Sequence, residues 1–130
     1  MADERHVAVD VSPPAGTVRV GVDADLAERI LQPVVENACR YASSRVHIEI
    51  ARADSTVYYA IEDDGPGVAE DERERIFEPG IRGTAAGMNG NAGAGLGLAL
   101  ARRLARSVDG DVDAETGRSG GRFVVRLPTG

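Results

Sequence analysis

The chain has 130 residues, 42% hydrophobic and 28% charged, with 15 basic against 21 acidic side chains and a formal net charge of −6. That composition belongs to an ordinary water-soluble domain large enough for its own core, and residues 1–130 read as one domain. The acidic balance excludes a general nucleic-acid surface, which needs a basic stripe, and the absence of lysine excludes a P-loop.

The first predicted elements are two runs of alternating polarity, His6–Val11 and Thr17–Val22, on either side of Ser12-Pro13-Pro14-Ala15-Gly16. Period-2 patterning around a Pro/Gly turn predicts a hairpin. Asp23 or Asp25 can then cap a helix that runs through Tyr41, with Leu26, Ile30, Val34 and Ala38 at helical spacing. Pro33 lies inside that helix and is expected to kink it, because it has no N–H to donate. Cys39, on the same helix, is the only cysteine; it has no internal disulfide partner, which fits a reducing compartment.

Val46–Ile50 and Thr56–Glu62 read as a second strand pair joined by a turn over Arg52–Ser55, followed by a short helix around Asp71–Phe77. Glu78–Ala92 has almost no apolar periodicity and is filled with Gly, Ala, Asn and Thr. A loop of that length inside a compact domain is usually functional or disordered. Leu96–Val108 reads as an amphipathic helix stopped at Gly110, and Asp111–Glu115 with Arg122–Leu127 as a closing hairpin. Strands arriving as adjacent hairpins predict an α+β fold: a mixed, mostly antiparallel sheet of about five or more strands packed on about three helices. No apolar run reaches the ~18 residues that span a bilayer, and no signal-peptide pattern is present. The expected location is therefore the cytoplasm, as a cytosolic part of something larger, with no direct membrane contact.

Four clusters of residues carry potential chemistry. Glu36 and Asn37 are adjacent on a helix, about 100° apart around its axis, so they can serve neighbouring but different atoms. A carboxylate can polarise an attacking group, and an amide oxygen can ligate a hard cation such as Mg²⁺. Arg40 lies on nearly the same face as Asn37 and can reach phosphate oxygens. The second cluster is Asp63-Asp64-Gly65-Pro66-Gly67, directly after a strand. Its glycines permit a tight turn and close approach to a flat ligand, and a buried carboxylate beside them can accept a hydrogen bond from an exocyclic amine such as that of adenine. The third is Gly93-Ala94-Gly95-Leu96-Gly97-Leu98, where glycines and free N–H groups at a helix start make an anion site. A Rossmann strand would have to precede it directly; a long loop does instead. Between the last two lies Glu74-Arg75-Ile76-Phe77-Glu78-Pro79-Gly80-Ile81-Arg82, in which Phe77 can anchor the loop and Arg82 lies at its base. Each cluster taken alone matches a solvent-facing polar stripe, an acidic turn, a glycine-rich helix start or a helix ending before Pro79.

Their order is more specific. Together they resemble the N, G1, F and G2 boxes of the ATPases that include histidine kinases, type II topoisomerases, Hsp90 chaperones and mismatch-repair proteins, over residues 20–127. Glu-Arg-Ile-Phe-Glu-Pro and Gly-Leu-Gly-Leu-Ala are most similar to sensor histidine kinases. The resemblance implies the Bergerat two-layer sandwich, with Glu36 as general base and Asn37 as the Mg²⁺ ligand. It further implies Arg40 and Tyr41 near the phosphates or ribose, and Asp63 as the adenine-binding aspartate in a pocket shaped by Gly65 and Gly67. Gly93, Gly95, Leu96 and Gly97 then close the phosphate loop, Glu78–Ala92 is the ATP lid, and Arg82 contacts nucleotide at its base. ATP and Mg²⁺ are the implied ligands. The implied partners are a histidine-bearing dimerisation domain and, through it, a response regulator, the isolated domain itself being a monomer.

Three departures stand out. Gln32-Pro33 replaces an earlier asparagine, Gly80 replaces the usual aromatic residue, and Gly120-Gly121-Arg122-Phe123 lacks the common threonine. His6 and His47 both fall in strand patterns, so no phosphoacceptor helix is recognisable. A stand-alone serine kinase of the anti-sigma-factor type, or a non-catalytic nucleotide-sensing module, are the alternative functions for the same fold.

Overall fold

The computed structural model describes residues 7–12, 14, 16, 18–78, 92–116 and 120–130, with the backbone alone described for 92–96 and 116. In chain order it contains β1 (Ala8–Ser12), α1 (Ala24–Tyr41), β2 (Arg45–Ala53), β3 (Thr56–Asp63), two short 3₁₀ turns (Glu70–Glu72 and Arg75–Phe77), α2 (Ala92–Arg106), β4 (Asp111–Thr116) and β5 (Gly121–Pro128). The strands form one five-stranded sheet in the order β1-β2-β3-β5-β4. The mixed α+β sandwich expected from the element order is what forms, with β1 parallel to β2 and the other three pairs antiparallel.

The first hairpin does not form. β1 pairs with β2, Val9 opposite Val46 and Val11 opposite Ile48, and the described part of the stretch expected to be its partner meets the sheet at a bridge from Val20 to Thr129. The open edge of β2 offers a whole strand of backbone partners, while Val18, Val20 and Val22 find apolar contacts against the core. The distant pairing therefore satisfies more backbone groups than the local turn. Side chains reinforce it. His47 Nδ1 lies 2.6 Å from Asp10 Oδ2, and Nε2 lies 3.3 Å from Ser12 Oγ. His6 lies outside the described residues.

α1 forms where the periodicity placed it and passes through Pro33 without ending. Ile30, Val34, Asn37 and Ala38 are its buried positions, the 3- and 4-residue spacing of one helical face. Asp23 occupies the N-cap position but makes no side-chain cap bond. The core fills between this face and the inner rows of the sheet: Ile30 and Val34, Val46, Val57 and Ile61, Val112, and Phe123, Val125 and Leu127 are all fully buried. Ala101 and Ala105 of α2 are fully buried as well. The other face of the sheet is laced by ion pairs, including Arg122 bridging Glu62 at 2.5 Å and Glu115 at 3.1 Å across three strands, the cross-strand arrangement that favours one register.

Other boundaries moved. The expected helix at Asp71–Phe77 is the pair of 3₁₀ turns. α2 begins at Ala92, four residues before the expected Leu96, despite the poor helix propensity of Gly93 and Gly95. It ends at Arg106 rather than Val108, and the left-handed residue that stops it is Asp109 (φ 66°), not Gly110. Gly110 donates its N–H to Ala105 O at 2.7 Å, closing the helix end. Glycine is required there because a Cβ would stand 2.2 Å from Arg126 O.

Candidate functional site

α1 carries the first four candidate residues. Asn37 is nine-tenths buried and has no side-chain partner among the described residues, whereas Glu36 faces solvent and accepts a hydrogen bond from Gln32 Nε2 at 2.9 Å. The helix therefore separates the pair as its geometry requires: the amide points into the structure and the carboxylate out of it. Gln32 and Glu36 border an open apolar groove lined by Val20, Val22, Ala24, Ala27, Leu31 and Val35. Arg40 is half-buried in the last turn, where a cation also suits the helix dipole. Tyr41 ends the helix, and its hydroxyl is buried without a hydrogen-bond partner among the described residues.

The end of β3 carries Asp63 and Asp64. Asp63 is buried at 6% exposure. Its Oδ1 accepts the backbone N–H of Gly65 at 2.8 Å and of Gly121 at 3.3 Å, so Oδ2 is left without a partner among the described residues. Burial pushes its carboxyl above the usual range; the two N–H donors pull the other way, and the Asp64 and Glu62 carboxylates add to the upward push. Asp64 is the opposite case. Its Oδ1 accepts the N–H groups of Ser43, Ser44 and Arg45 at 2.8, 3.0 and 3.1 Å, and its Oδ2 accepts the Ser44 hydroxyl at 2.7 Å. Those donors, the Ser44 backbone first, hold its carboxyl far below the ordinary value. Asp64 ties the exit of α1 and the start of β2 to the end of β3, and Asp63 keeps a free oxygen.

Glycine is enforced around Asp63 by close backbone approach. A Cβ at Gly65 would stand 1.9 Å from Tyr41 O, and one at Gly120 would stand 2.4 Å from Asp63 O. At Gly121 it would stand 2.8 Å from Asp63 Oδ2 itself. Gly67 adopts φ 79° and lies against Gly120. Gly65 and Gly67 thus lie where the pattern put them, and the fold adds Gly120 and Gly121. No local pattern marks those two as pocket residues; the β3–β5 register does, because Glu62 pairs with Arg122 and so brings Gly121 alongside Asp63.

Gly93, Gly95 and Leu96 lie in the first turns of α2. The leading N–H groups of a helix have no intrahelical acceptor, so the free N–H groups of α2 fall nearer Ala92 than the junction at Leu96. Gly97 lies within the helix, where a Cβ would meet Pro33 Cβ at 3.4 Å, an ordinary contact between α2 and α1. Phe77 is buried and meets Phe123 edge-on, with ring centroids 6.3 Å apart. Arg82, Gly80 and the expected lid between Glu78 and Ala92 lie outside the described residues.

A Mg²⁺ ion fits Asn37 as a site that is mostly supplied by ligand. No cluster of three or more His, Cys, Asp or Glu side chains able to hold a metal occurs among the described residues. Mg²⁺ bound with a nucleotide takes few protein ligands and completes its shell with phosphate oxygens and water, and the unpartnered amide of Asn37 can provide one.

Comparison with known proteins agrees with this geometry. Residues 22–130 match the family described as histidine kinase-, DNA gyrase B- and HSP90-like ATPase. Sensor protein RstB of Escherichia coli (strain K12) is 34% identical over 134 residues, covering 95% of this chain and 31% of that protein. Sensor histidine kinase CpxA of the same strain is 32% identical over 128 residues, covering 98% and 28%. The chain therefore spans less than a third of the length of these curated relatives. Among solved structures, full-length ShkA in complex with AMPPNP superposes with a TM-score of 0.82 at 27% identity, over 98% of this chain and 27% of that one. The ATP-binding domain of PrrB from Mycobacterium tuberculosis superposes with a TM-score of 0.74 at 26% identity, over 96% of this chain and 82% of that one. With the family match covering most of its length, the chain belongs to the histidine kinase-, DNA gyrase B- and HSP90-like ATPases.

Proposed function

We propose that the chain is the catalytic domain of a two-component sensor histidine kinase, binding ATP with Mg²⁺ and donating the γ-phosphoryl group to a histidine on a separate dimerisation domain. A response regulator then receives the group from that histidine. The observation that carries the reading is the buried Asp63 carboxylate, with Oδ2 unpartnered and Gly65, Gly120 and Gly121 packed around it. Oδ2 accepts no hydrogen bond from the described residues, and the exocyclic amine of adenine is a donor that fits it.

The remaining roles are carried over from the family resemblance onto matching positions. The first-turn N–H groups of α2, with Arg40 and the Tyr41 hydroxyl, receive phosphate or ribose oxygens. Asn37 would hold a Mg²⁺ ion brought in with the nucleotide, and such an ion would supply neutralisation of phosphate charge. Glu36 lies at the solvent edge beside the apolar groove, so an incoming imidazole can reach its carboxylate, which orients the ring and takes its proton as the N–P bond forms, the bond from the γ-phosphorus to the β–γ bridging oxygen breaks and ADP leaves. The names of RstB and CpxA as sensor proteins and the AMPPNP bound to ShkA support the same reading. No helix among the described residues is long and apolar enough to cross a membrane, consistent with a cytosolic segment of a membrane-bound sensor.

The test offers the purified chain γ-labelled ATP·Mg²⁺ together with a histidine-bearing dimerisation domain. Label transferred to the histidine, and lost in Glu36→Ala while ATP still binds, is the expected result. Transfer to a serine-bearing antagonist instead, or binding without transfer to any acceptor, overturns it.

A further inference from the structure

The side chain that joins the two segments flanking residues 79–91 is Arg102, on the third turn of α2. Only 10% of its side chain is exposed. Its Nη1 and Nη2 donate to the two carboxylate oxygens of Glu74 at 2.8 and 3.1 Å, Nε donates to Asp111 at 3.4 Å, and Nη2 also reaches Asp113 at 3.3 Å. Its Cζ lies 4.1 Å from the centre of the Phe77 ring. One guanidinium thus uses both its planar fork and its face, a combination lysine cannot reproduce. The Glu74 pair raises the affinity of Arg102 for its proton, and Arg102 in turn lowers the Glu74 carboxyl, so the clasp is fully charged at neutral pH.

Glu74 and Phe77 lie at the end of the described segment that precedes residue 79, and α2 begins at Ala92. Phe77 rests edge-on against Phe123, two residues along β5 from Gly121, whose N–H binds Asp63. The Arg102–Phe77–Phe123 stack therefore references α2 to the strand that shapes the Asp63 pocket. Gly95 is seven residues before Arg102, about 10 Å along a rigid helix, so a shift of α2 at Arg102 is carried directly to its N-terminal N–H groups.

We propose that Arg102 is a positioning residue for the nucleotide site: clasping Glu74 and Phe77, it sets the distance between the phosphate-binding end of α2 and the adenine pocket. The inference rests on the ATP reading above. It requires that loss of the clasp act on the phosphates and not on the adenosine moiety, because β3 and β5 hold Asp63 and Gly121 independently of α2.

The test titrates the full chain with ATP·Mg²⁺ by calorimetry and with adenosine by NMR. Arg102→Gln is expected to weaken ATP about tenfold, the scale of one charged hydrogen bond, while adenosine binding stays within about twofold. Arg102→Lys is expected to recover only part of the loss. If Arg102→Gln fails to fold, Glu74→Gln removes the charge from the exposed partner and is expected to show the same selectivity. An equal loss for both ligands, or an unchanged ATP affinity, overturns the inference and leaves the ATP reading standing. Binding of neither ligand by the unsubstituted chain overturns both.

Discussion

Asp63 and Asp64 are consecutive residues with opposite electrostatic fates. Asp64 spends both oxygens on four hydrogen bonds from Ser43, Ser44 and Arg45, which hold it ionised. Asp63 is buried, its Oδ2 accepts no hydrogen bond from the described residues, and burial raises its pKa. Asp64 clamps the fold and Asp63 is the proposed receptor for a ligand, so substitutions at the two sites are expected to separate accordingly.

Asp63→Asn is expected to abolish most of the rise in melting temperature that ATP·Mg²⁺ produces in the unsubstituted chain. Ligand at about 100 times Kd stabilises by about 2.7 kcal/mol, or roughly 10 °C for a domain of this size. An Asn keeps an Oδ1 acceptor for Gly65 and Gly121 but turns an amide donor toward the adenine amine. A carboxylate whose folded pKa is raised opposes folding when ionised, and its protonation at low pH favours the fold. The unliganded variant should therefore melt at neutral pH no lower than the parent. A thermal-shift assay with and without nucleotide checks both halves.

Asp64→Asn is expected to lower the melting temperature with or without ligand. The folded-state pKa of Asp64 is depressed, so its contribution to stability is present above the ordinary carboxylate pKa of about 3.9 and is lost as pH falls below it. Acid titration of the parent should accordingly show a steep loss of stability below about pH 4, shallower in Asp64→Asn. Circular dichroism melts between pH 2 and pH 7 measure the difference.

Two glycine substitutions in one pocket are expected to differ in kind. In Gly65→Ala the new methyl meets the backbone oxygen of Tyr41 at 1.9 Å, so the exit of α1 must move and stability should fall by about 2 kcal/mol or more, as in overpacked sites. In Gly121→Ala the nearest obstacle is the Asp63 carboxylate at 2.8 Å. That side chain can turn, so the fold should lose about 1 kcal/mol while ATP affinity falls at least tenfold. Denaturant unfolding and calorimetry on the same samples separate the two.

Asp109→Gly is expected to stabilise the chain by about 0.5 kcal/mol. Asp109 holds φ 66° at the end of α2, a conformation that glycine adopts without a Cβ clash. The added freedom of glycine in the unfolded chain offsets part of the gain. Equilibrium unfolding in urea checks the sign.

The pattern of residues was enough to specify most elements and the identity of the chemistry. α1, β2, β3 and the closing hairpin lie where periodicity and turn residues placed them, because each is a local preference reinforced by burial of one face. Glu36, Asn37, Asp63 and Gly65 were singled out by residue type and order, and their proposed roles await the tests above.

Pairings between distant segments were decided by the tertiary structure. β1 chose the open edge of β2 over its own sequence neighbour because a full strand of backbone partners outweighs a short turn. The resemblance singled out Asp63 from Asp64, but the physical difference between them comes from the fold: the exit of α1 delivers three N–H groups to Asp64 and the β3–β5 register delivers Gly121 to Asp63. Arg102 was one arginine among several on an amphipathic helix until packing brought Glu74 and Phe77 beneath it. Local sequence encodes which conformations a segment prefers, but a site assembled from segments 20 to 60 residues apart depends on register and close approach, and those exist only in the folded chain.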